Sequence, residues 1–238
     1  MKSERGFTLV ELMIAIAVTM LLLVALYGAV NSVQRSSTGI ERRIEAQQAV
    51  KPALDLMALE ISMASYNPNY TTGMWVNPDT CGAASNQNYR GIQEADLSAI
   101  TLQMDIDKDS AVSAANEIIR YQYLSGASDR RITRETIRCG SGGRTTSGAQ
   151  PLLGGNPNTG IPCTVRVIND TLNIPLFRYY DGAGAEITGA NLPARIPDIR
   201  RIEITLAVET QEADRATGQR RQLIYSTSVI PRNHAIIP

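Results

Sequence analysis

The sequence has few of the residues from which enzyme active sites are usually built. Histidine occurs once, at His234, which argues against a multi-histidine zinc site and against a histidine-based catalytic triad. No P-loop, G-x-G-x-x-G or C-x-x-C motif is present, so neither the common kinds of nucleotide binding nor dithiol chemistry is indicated. The sequence therefore predicts a protein that is not an enzyme and that uses no cofactor.

An excess of charge of either sign is also lacking. The 23 Lys and Arg residues balance 23 Asp and Glu residues, for a formal net charge of zero, which does not indicate a general nucleic-acid binder. Besides Arg42-Arg43, three arginine pairs occur, Arg130-Arg131, Arg200-Arg201 and Arg220-Arg221, and acidic residues are interleaved with them. This pattern favours a solvated face of a sheet over a DNA-binding stripe.

One long apolar stretch is present near the N-terminus. Between Phe7 and Val30 only Glu11 carries a charge, and a helix of that length is roughly 36 Å long, enough to cross a hydrocarbon core of ~30 Å. Lys2 and Arg5 precede the stretch. Because positive charge is biased toward the cytoplasm, we expect a cytoplasmic N-terminus and an exported remainder.

Two ordinary explanations of such a stretch account for it poorly. A removable secretory signal has a shorter apolar region and a small-residue cleavage site, which residues 27–31 do not provide. A plain N-terminal anchor does not explain Glu11, since a carboxylate inside an apolar span costs ~2.5 to 3.5 kcal/mol. Glu11 is therefore expected to have a cationic partner.

The residues around this acid resemble a known motif. The run Gly6-Phe7-Thr8-Leu9-Val10-Glu11-Leu12 resembles the cleavage and methylation motif of type IV prepilins and type II secretion pseudopilins. The resemblance implies that a prepilin peptidase cuts after Gly6 and N-methylates Phe7, whose amine stays cationic. Glu11 can then pair with the Phe7 amine of a neighbouring subunit, because a buried carboxylate is tolerable only when it is paired.

From residue 40 the pattern becomes amphipathic. Apolar residues at spacings of three and four predict one helical face that packs on the exported domain. This stripe consists of Ile40, Ile44, Gln47, Val50, Leu54, Met57, Ile61 and Ala64. Residues 53–66 resemble the end of the long helix in PilW-type minor pilins, where an acidic residue, an Ile, a Met-Ala pair and a Tyr close the segment. GspJ-type pseudopilins have a related segment, so both assignments stay open.

Seven later segments have the alternation and the β-branched or aromatic residues typical of strands. They are residues 99–104, 117–124, 130–138, 165–169, 176–180, 198–209 and 222–230. The last two are expected to form a hairpin with its tip between Gln211 and Arg221. The predicted fold class is α+β, with a long N-terminal type IV pilin-like helix packed on an antiparallel β-sheet domain.

The predicted organisation has four parts. Residues 1–6 form a prepilin leader, and residues 7–30 form a transmembrane and filament-core helix. Residues 31–66 continue that helix in amphipathic form, and residues 67–238 form an exported, β-rich globular domain. Trp75, the only tryptophan, lies in a long loop that we expect it to anchor in the core.

Only three cysteines occur, Cys81, Cys139 and Cys163, and in an oxidising compartment they allow one disulfide and one remaining thiol. Cys139 and Cys163 bracket a stretch rich in Gly, Ser, Asn and Pro, and closing that loop stabilises the fold by ~3 kcal/mol on the chain-entropy model. We therefore predict the Cys139–Cys163 pair. The alternatives are that Cys81 replaces one of them or that all three stay reduced.

An acidic D-x-D-x-D run, Asp105, Asp107 and Asp109, begins like a calcium-binding loop. An EF-hand has Gly at the next position and Glu at position twelve, where this chain has Ser110 and Asn116. The sequence favours a solvated turn between two strands over a calcium loop, so no metal site is predicted.

Taken together, the motifs and the resemblance imply a minor pilin processed by prepilin peptidase and incorporated into a type IV pilus, in an initiation or tip complex. Its expected partners are the peptidase, other minor and major pilins and an inner-membrane assembly platform. The expected location is the bacterial inner membrane, with one span and a periplasmic C-terminal domain, and later the filament. A type II secretion pseudopilin, a tip adhesin and a DNA-uptake subunit are the alternatives.

Overall fold

A computed structural model describes residues 8–126, 129–155, 160, 163–213 and 218–235, apart from the side chains of residues 35–38 and 129. Its first element, α1, is a 55-residue helix, Leu9–Met63, which is about 80 Å long. Neither Gly28 nor Gly39 interrupts it, and Pro52 lies within it. The helix is therefore continuous from the apolar stretch into the amphipathic segment.

The first sheet has six antiparallel strands. They are β1 (Ile92–Ala95), β2 (Ala99–Gln103), β3 (Ile118–Gly126), β4 (Asp129–Gly140), β5 (Gly143–Thr146) and β6 (Gln150–Gly154). The order across the sheet is β1-β2-β3-β4-β5, and β6 also pairs with β4. Since β5 pairs with residues 137–140 of β4 and β6 pairs with residues 131–134, the two short strands follow one another along one edge of β4.

The second sheet has five antiparallel strands. They are β7 (Val165–Val167), β8 (Phe177–Tyr180), β9 (Glu186–Ile187), β10 (Arg201–Thr210) and β11 (Gln222–Val229). The order is β11-β10-β8-β9, and β7 also pairs with β10. A short helix, α2 (Leu192–Arg195), lies between β9 and β10. The predicted hairpin of the last two strands is confirmed, with pairing from Ile202 opposite Val229 to Glu209 opposite Gln222.

The predicted α+β class is confirmed, and a strand is present in each of the seven predicted segments. Strands β1, β5, β6 and β9 were not predicted, and the strands divide into two sheets. These four strands are short, and β5 is exposed throughout. Alternation of buried and exposed side chains is therefore absent or too brief to recognise in the sequence.

The C-terminal half of α1 packs against the main core of the domain. Its buried side chains are Ala46, Val50, Ala53, Leu54, Met57 and Ile61, and Ala64 directly after the helix is buried as well. Burial of each Leu, Ile or Met contributes ~1.5 to 3 kcal/mol. The predicted stripe is confirmed from Val50 to Ala64, but it is wrong at Ile40 and Ile44, which are 58% and 47% exposed, and at Gln47, which is exposed. The helix still touches the domain here, since Ala46 is 1% exposed and Arg42 donates to Glu212, so the three mispredicted residues lie on the face of α1 that is turned away from the domain.

A polar contact joins α1 to the first sheet. Glu60 accepts two hydrogen bonds from Arg134 of β4, at 2.7 Å to Oε1 and 3.1 Å to Oε2, and a third from the hydroxyl of Tyr121. The hydrogen bond to Glu60 raises the pKa of Arg134, while burial and the Glu60 charge raise the pKa of Tyr121, so both keep their protons. A two-pronged arginine–carboxylate pair has a defined geometry, so this contact fixes the rotation of α1 about its own axis.

The end of α1 is held by a chain of hydrogen bonds. Ser65 has a φ of +66°, and its N–H donates to the Gln103 carbonyl at 2.9 Å. The Ser65 hydroxyl accepts the N–H of Gly91 at 3.0 Å and lies 2.8 Å from His234 Nδ1. His234 Nε2 lies 2.8 Å from the carbonyl of Ile196. Because that carbonyl can only accept, Nε2 carries the proton and Nδ1 accepts from Ser65.

This arrangement generates a prediction about pH. Burial lowers the pKa of His234 to about 4, and the charges of Arg90 and Arg200 act in the same direction. An unfolded histidine has a pKa near ~6.5, so between these values the unfolded chain binds a proton that the folded chain does not. We expect the free energy of unfolding to fall by on the order of 3 kcal/mol as the pH drops from ~6.5 to ~4.

The measurement is urea unfolding of the full-length protein in detergent micelles across that pH range. Fluorescence of Trp75 follows it, since this is the only tryptophan and it is buried. In a His234→Gln variant we expect lower stability at pH 7 and a shallower dependence on pH. An equally steep dependence in the variant would show that other groups cause it.

Candidate functional site

The first turn of α1 is organised by Thr8 and Glu11. The Glu11 N–H donates to Thr8 Oγ1 at 3.3 Å, and the Thr8 N–H donates to Glu11 Oε2 at 2.9 Å. The Thr8 hydroxyl donates to the same Glu11 oxygen at 2.9 Å. This reciprocal capping box satisfies two backbone N–H groups that the helix itself leaves unpaired. Thr8 was not among the predicted site residues, although T-x-x-E ahead of an apolar run signals such a box.

The capping box gives Glu11 hydrogen bonds but no counter-charge. Within the residues that the structure describes, Glu11 takes part in no ion pair, and its partner Thr8 is neutral. The box involves only residues on the C-terminal side of Phe7, so a cut after Gly6 would leave its groups in the chain. Glu11 is thus oriented by its own helix and can still accept a cation from outside the chain.

The helix that follows Glu11 presents an apolar surface in every direction. All the large apolar side chains from Leu9 to Val33 are exposed, by 46% to 75%. By length and composition, α1 can cross a membrane, and none of its most apolar window is buried in the domain. A helix that is apolar all round is stable when lipid or other helices surround it. This half of α1 is therefore suited to contact with lipid or with helices of other chains.

The cleavage and methylation residues, Gly6 and Phe7, lie outside the described residues. Their roles stay predictions from the motif. The structure begins at Thr8, one residue beyond the predicted new N-terminus.

The predicted Cys139–Cys163 disulfide is wrong. The structure joins Cys81 to Cys139, with their Cα atoms 5.3 Å apart, and leaves Cys163 as a free thiol. Sequence spacing cannot show that the loop of residues 74–84 folds over the end of β4. A second apolar cluster holds it there, consisting of Met74, Trp75, Ala84, Val112, Ile118 and Ile137, with Cys139 packed against it. Trp75 is 5% exposed, so its predicted anchoring role is confirmed.

Cys163 lies two residues before β7, which is a strand of the second sheet. Its Sγ donates to the Gly155 carbonyl at 3.3 Å, and burial raises the pKa of its thiol. The thiol is therefore protonated at neutral pH and reacts slowly.

We expect non-reducing peptide mapping of the full-length protein to yield a Cys81–Cys139 peptide pair. On the chain-entropy model, closure of a loop across a separation of 58 residues stabilises by about 4 kcal/mol. Cys139→Ser should therefore lower the free energy of unfolding by up to that amount, with Cys163→Ser as a control that changes it little. A Cys139–Cys163 peptide, or equal effects of the two variants, would contradict the assignment.

Two of the predicted arginine pairs have acidic partners inside the domain. Arg130 Nε lies 3.0 Å from Asp170, and Arg220 lies 3.6 Å from Glu209. These charges are balanced locally, as expected for a solvated face of a sheet. Such pairs leave less positive charge available for a nucleic-acid backbone.

Comparison with known proteins supports the N-terminal assignment. A family model described as the prokaryotic N-terminal methylation motif matches residues 1–27. The match includes Gly6, Phe7 and Glu11 and most of the exposed apolar part of α1. Neither the curated proteins nor the solved structures that were compared give a match. The motif and the long apolar helix indicate a type IV prepilin-like protein, of the pilin or pseudopilin kind, and they fit a membrane-anchored subunit.

Proposed function

We propose that the protein is a minor pilin that prepilin peptidase processes and that enters a type IV pilus, in an initiation or tip complex. The exposed apolar half of α1, headed by Glu11, is the observation that carries this proposal. Such a helix can be stored in a bilayer and then transferred into a filament core of similar helices. In both places its apolar surface stays out of water.

The minor pilin assignment draws on the end of α1. Residues 53–66 resemble that segment of PilW-type minor pilins, and the acid Glu60 within it anchors the helix to the first sheet through Arg134. The two sheets also make a large domain, and major pilins tend to be smaller. A large domain suits a subunit that primes or ends a filament, where it has neighbours on one side only.

The proposed topology places residues 1–6 in the cytoplasm, one span at residues 7–30 and the domain of residues 67–238 in the periplasm. Lys2 and Arg5 ahead of the span support this orientation. The Cys81–Cys139 disulfide supports it as well, because structural disulfides persist in oxidising compartments. The proposed partners are the peptidase, other minor and major pilins and the assembly platform of the inner membrane.

A minor pseudopilin of type II secretion shares the same N-terminal motif and is the rival within this class. A strain that lacks the protein separates the two functions. Loss of surface pili with secretion intact supports the pilin, whereas loss of secretion with pili intact supports the pseudopilin.

Processing is the first test. Mass measurement and N-terminal sequencing of the protein from its native membrane, with and without the peptidase, should show a peptidase-dependent product. We expect that product to lack residues 1–6 and to begin with methylated Phe7. An intact Met1 terminus in both strains would make the protein a simple anchored domain and would overturn the proposal.

Glu11 provides the second test. Glu11→Gln keeps an oxygen that can accept the Thr8 hydrogen bonds but removes the charge, and Glu11→Val removes both. We expect both variants to be cleaved normally and to enter filaments about 10-fold less, since a hydrogen bond to a charged group contributes ~1.5 to 3 kcal/mol. Quantitative immunoblots of sheared filaments against membranes measure this ratio.

Thr8→Val is the matched control, because it weakens the capping box and leaves the Glu11 charge in place. Its incorporation should remain close to that of the wild type. Normal incorporation of Glu11→Gln would rule out pairing with a neighbouring amine. Equal defects in Thr8→Val and Glu11→Gln would assign the role of Glu11 to the cap.

A further inference from the structure

Three aspartates converge in the loop between β2 and β3. One carboxylate oxygen from each of Asp105, Asp107 and Asp109 lies within 4.8 Å of those from the other two. Oxygen atoms bound to one Ca²⁺ at ~2.4 Å are separated by no more than about twice that distance. The three carboxylates are therefore close enough to share one ion.

Asp105 distinguishes this loop from an ordinary acidic turn. Its side chain is 0% exposed, and its backbone N–H donates to the Tyr66 carbonyl at 2.9 Å, which ties it to the end of α1. Its Oδ2 accepts the N–H of Ser110 at 3.1 Å, but its Oδ1 is buried without any hydrogen-bond partner among the described residues. A buried carboxylate oxygen with neither a donor nor a cation is costly.

No described side chain supplies that cation. Within the described parts of the chain, none of the three aspartates forms an ion pair. The nearby acid Glu117 is also fully buried, and it adds a fourth negative charge. Four carboxylates in one short loop repel each other at low dielectric, so a bound divalent cation would relieve a strain that the fold leaves in place.

Glu117 organises the loop from inside. Its Oε1 accepts the N–H of Ile106 at 2.9 Å, and its Oε2 accepts those of Ser113 and Ala114 at 2.9 Å and 2.7 Å. Its oxygens are therefore occupied by backbone groups. Glu117, one place beyond the position of an EF-hand's last ligand, therefore shapes the loop and leaves the ion to the three aspartates.

The missing glycine of the EF-hand pattern is no obstacle either. Ser110 stands at that sixth position and adopts a φ of +70°, the left-handed conformation for which glycine is normally required. The side-chain amide of Asn69 holds the turn, since it donates to the Lys108 carbonyl at 3.0 Å and to the Ser110 hydroxyl at 2.9 Å. Ser110 thus adopts the backbone conformation that the EF-hand glycine provides, so its presence does not argue against calcium binding.

We propose that Asp105, Asp107 and Asp109 bind one calcium ion, with Asp105 Oδ1 as its buried ligand. Asp107 and Asp109 are exposed, so water completes the coordination. An all-oxygen ligand set with three carboxylates suits Ca²⁺, whereas Mg²⁺ gives up its water reluctantly and uses few carboxylates. Partial exposure predicts a dissociation constant of ~0.1 to 1 mM, as in extracellular calcium modules.

The test uses the full-length protein in detergent micelles after treatment with EDTA. Calorimetric titration with CaCl₂ should show one ion per chain. Thermal unfolding, followed by Trp75 fluorescence, should shift upward by about 3 °C or more at 10 mM CaCl₂. Trp75 packs in the same apolar cluster as Val112, within this loop, and Ile118, at the start of β3, so its fluorescence is placed to sense a change in the loop.

The diagnostic variant is Asp107→Asn, which removes one ligand charge at an exposed position. It should abolish the calcium response. Without calcium it should unfold at the same temperature as the EDTA-treated wild type or higher, because one repulsive charge is gone. Asp55→Asn, at an exposed position of α1, is the control and should respond to calcium like the wild type.

Three results would overturn the proposal. They are no binding and no thermal shift at 10 mM CaCl₂, an undiminished response in Asp107→Asn, and an equal response of the wild type to MgCl₂. The last result would show general screening of the acidic loop, or a different ion, in place of a calcium site. None of these outcomes bears on filament assembly, so the calcium proposal and the pilin proposal succeed or fail separately.

Discussion

The burial of one face of α1 against the sheets is the interaction on which the rest of the structure depends. Val50, Met57 and Ile61 are fully buried, and they bring the helix against strands of both sheets. A stripe of apolar side chains sets which face is buried, but it tolerates small rotations of a helix. The paired hydrogen bonds between Glu60 and Arg134 remove that freedom, because a guanidinium and a carboxylate must meet in one plane. With α1 fixed, its last turn can serve as an attachment point for the rest of the domain.

The same helix must satisfy the opposite requirement at its other end. From Leu9 to Val33 its apolar side chains are exposed, and only lipid or neighbouring helices can cover them. Under the proposed function, Glu11 has to be accommodated first in lipid and then among neighbouring helices. Its hydrogen bonds to Thr8 lower the cost of the carboxylate while the subunit is alone. Its charge has no partner among the described residues, and under the proposed function it pairs with the amine of another subunit when the filament assembles.

Buried acidic and histidine side chains in the described part of the domain follow one rule, full pairing with donors or acceptors, and Asp105 is the exception among them. Glu60 and His234 each have defined partners on different elements, and Glu117 is satisfied by several backbone N–H groups. Such fully paired groups hold loops and termini in single positions, because breaking one of them leaves a buried charge or dipole unpaired. Asp105 departs from the rule, since one of its oxygens has no partner among the described residues. The departure lies beside two more carboxylates, where an ion can complete the pairing.

Patterns that repeat along the chain, or that function as a local motif, were predictable from the sequence. The apolar span, the motif around Glu11, the α+β class and the hairpin of β10 and β11 all belong to this group. Short strands and contacts between distant segments were not predictable. The sequence placed Glu60 at the end of the long helix, but it did not indicate that Arg134 lies opposite. It also suggested Cys139–Cys163 from spacing, whereas the Cys81 loop lies against β4.

The sequence by itself therefore determined the class of protein, because processing and membrane insertion act on an extended segment whose residue order is the signal. Only the tertiary structure decided which face of α1 the domain covers around residue 44, which cysteines meet and how deeply Asp105 is buried. Each of these depends on which distant segments pack together. Exposure of Ile44 and burial of Asp105 reverse what their side chains alone would favour. Packing overrides local preference wherever the neighbours of a residue come from elsewhere in the chain.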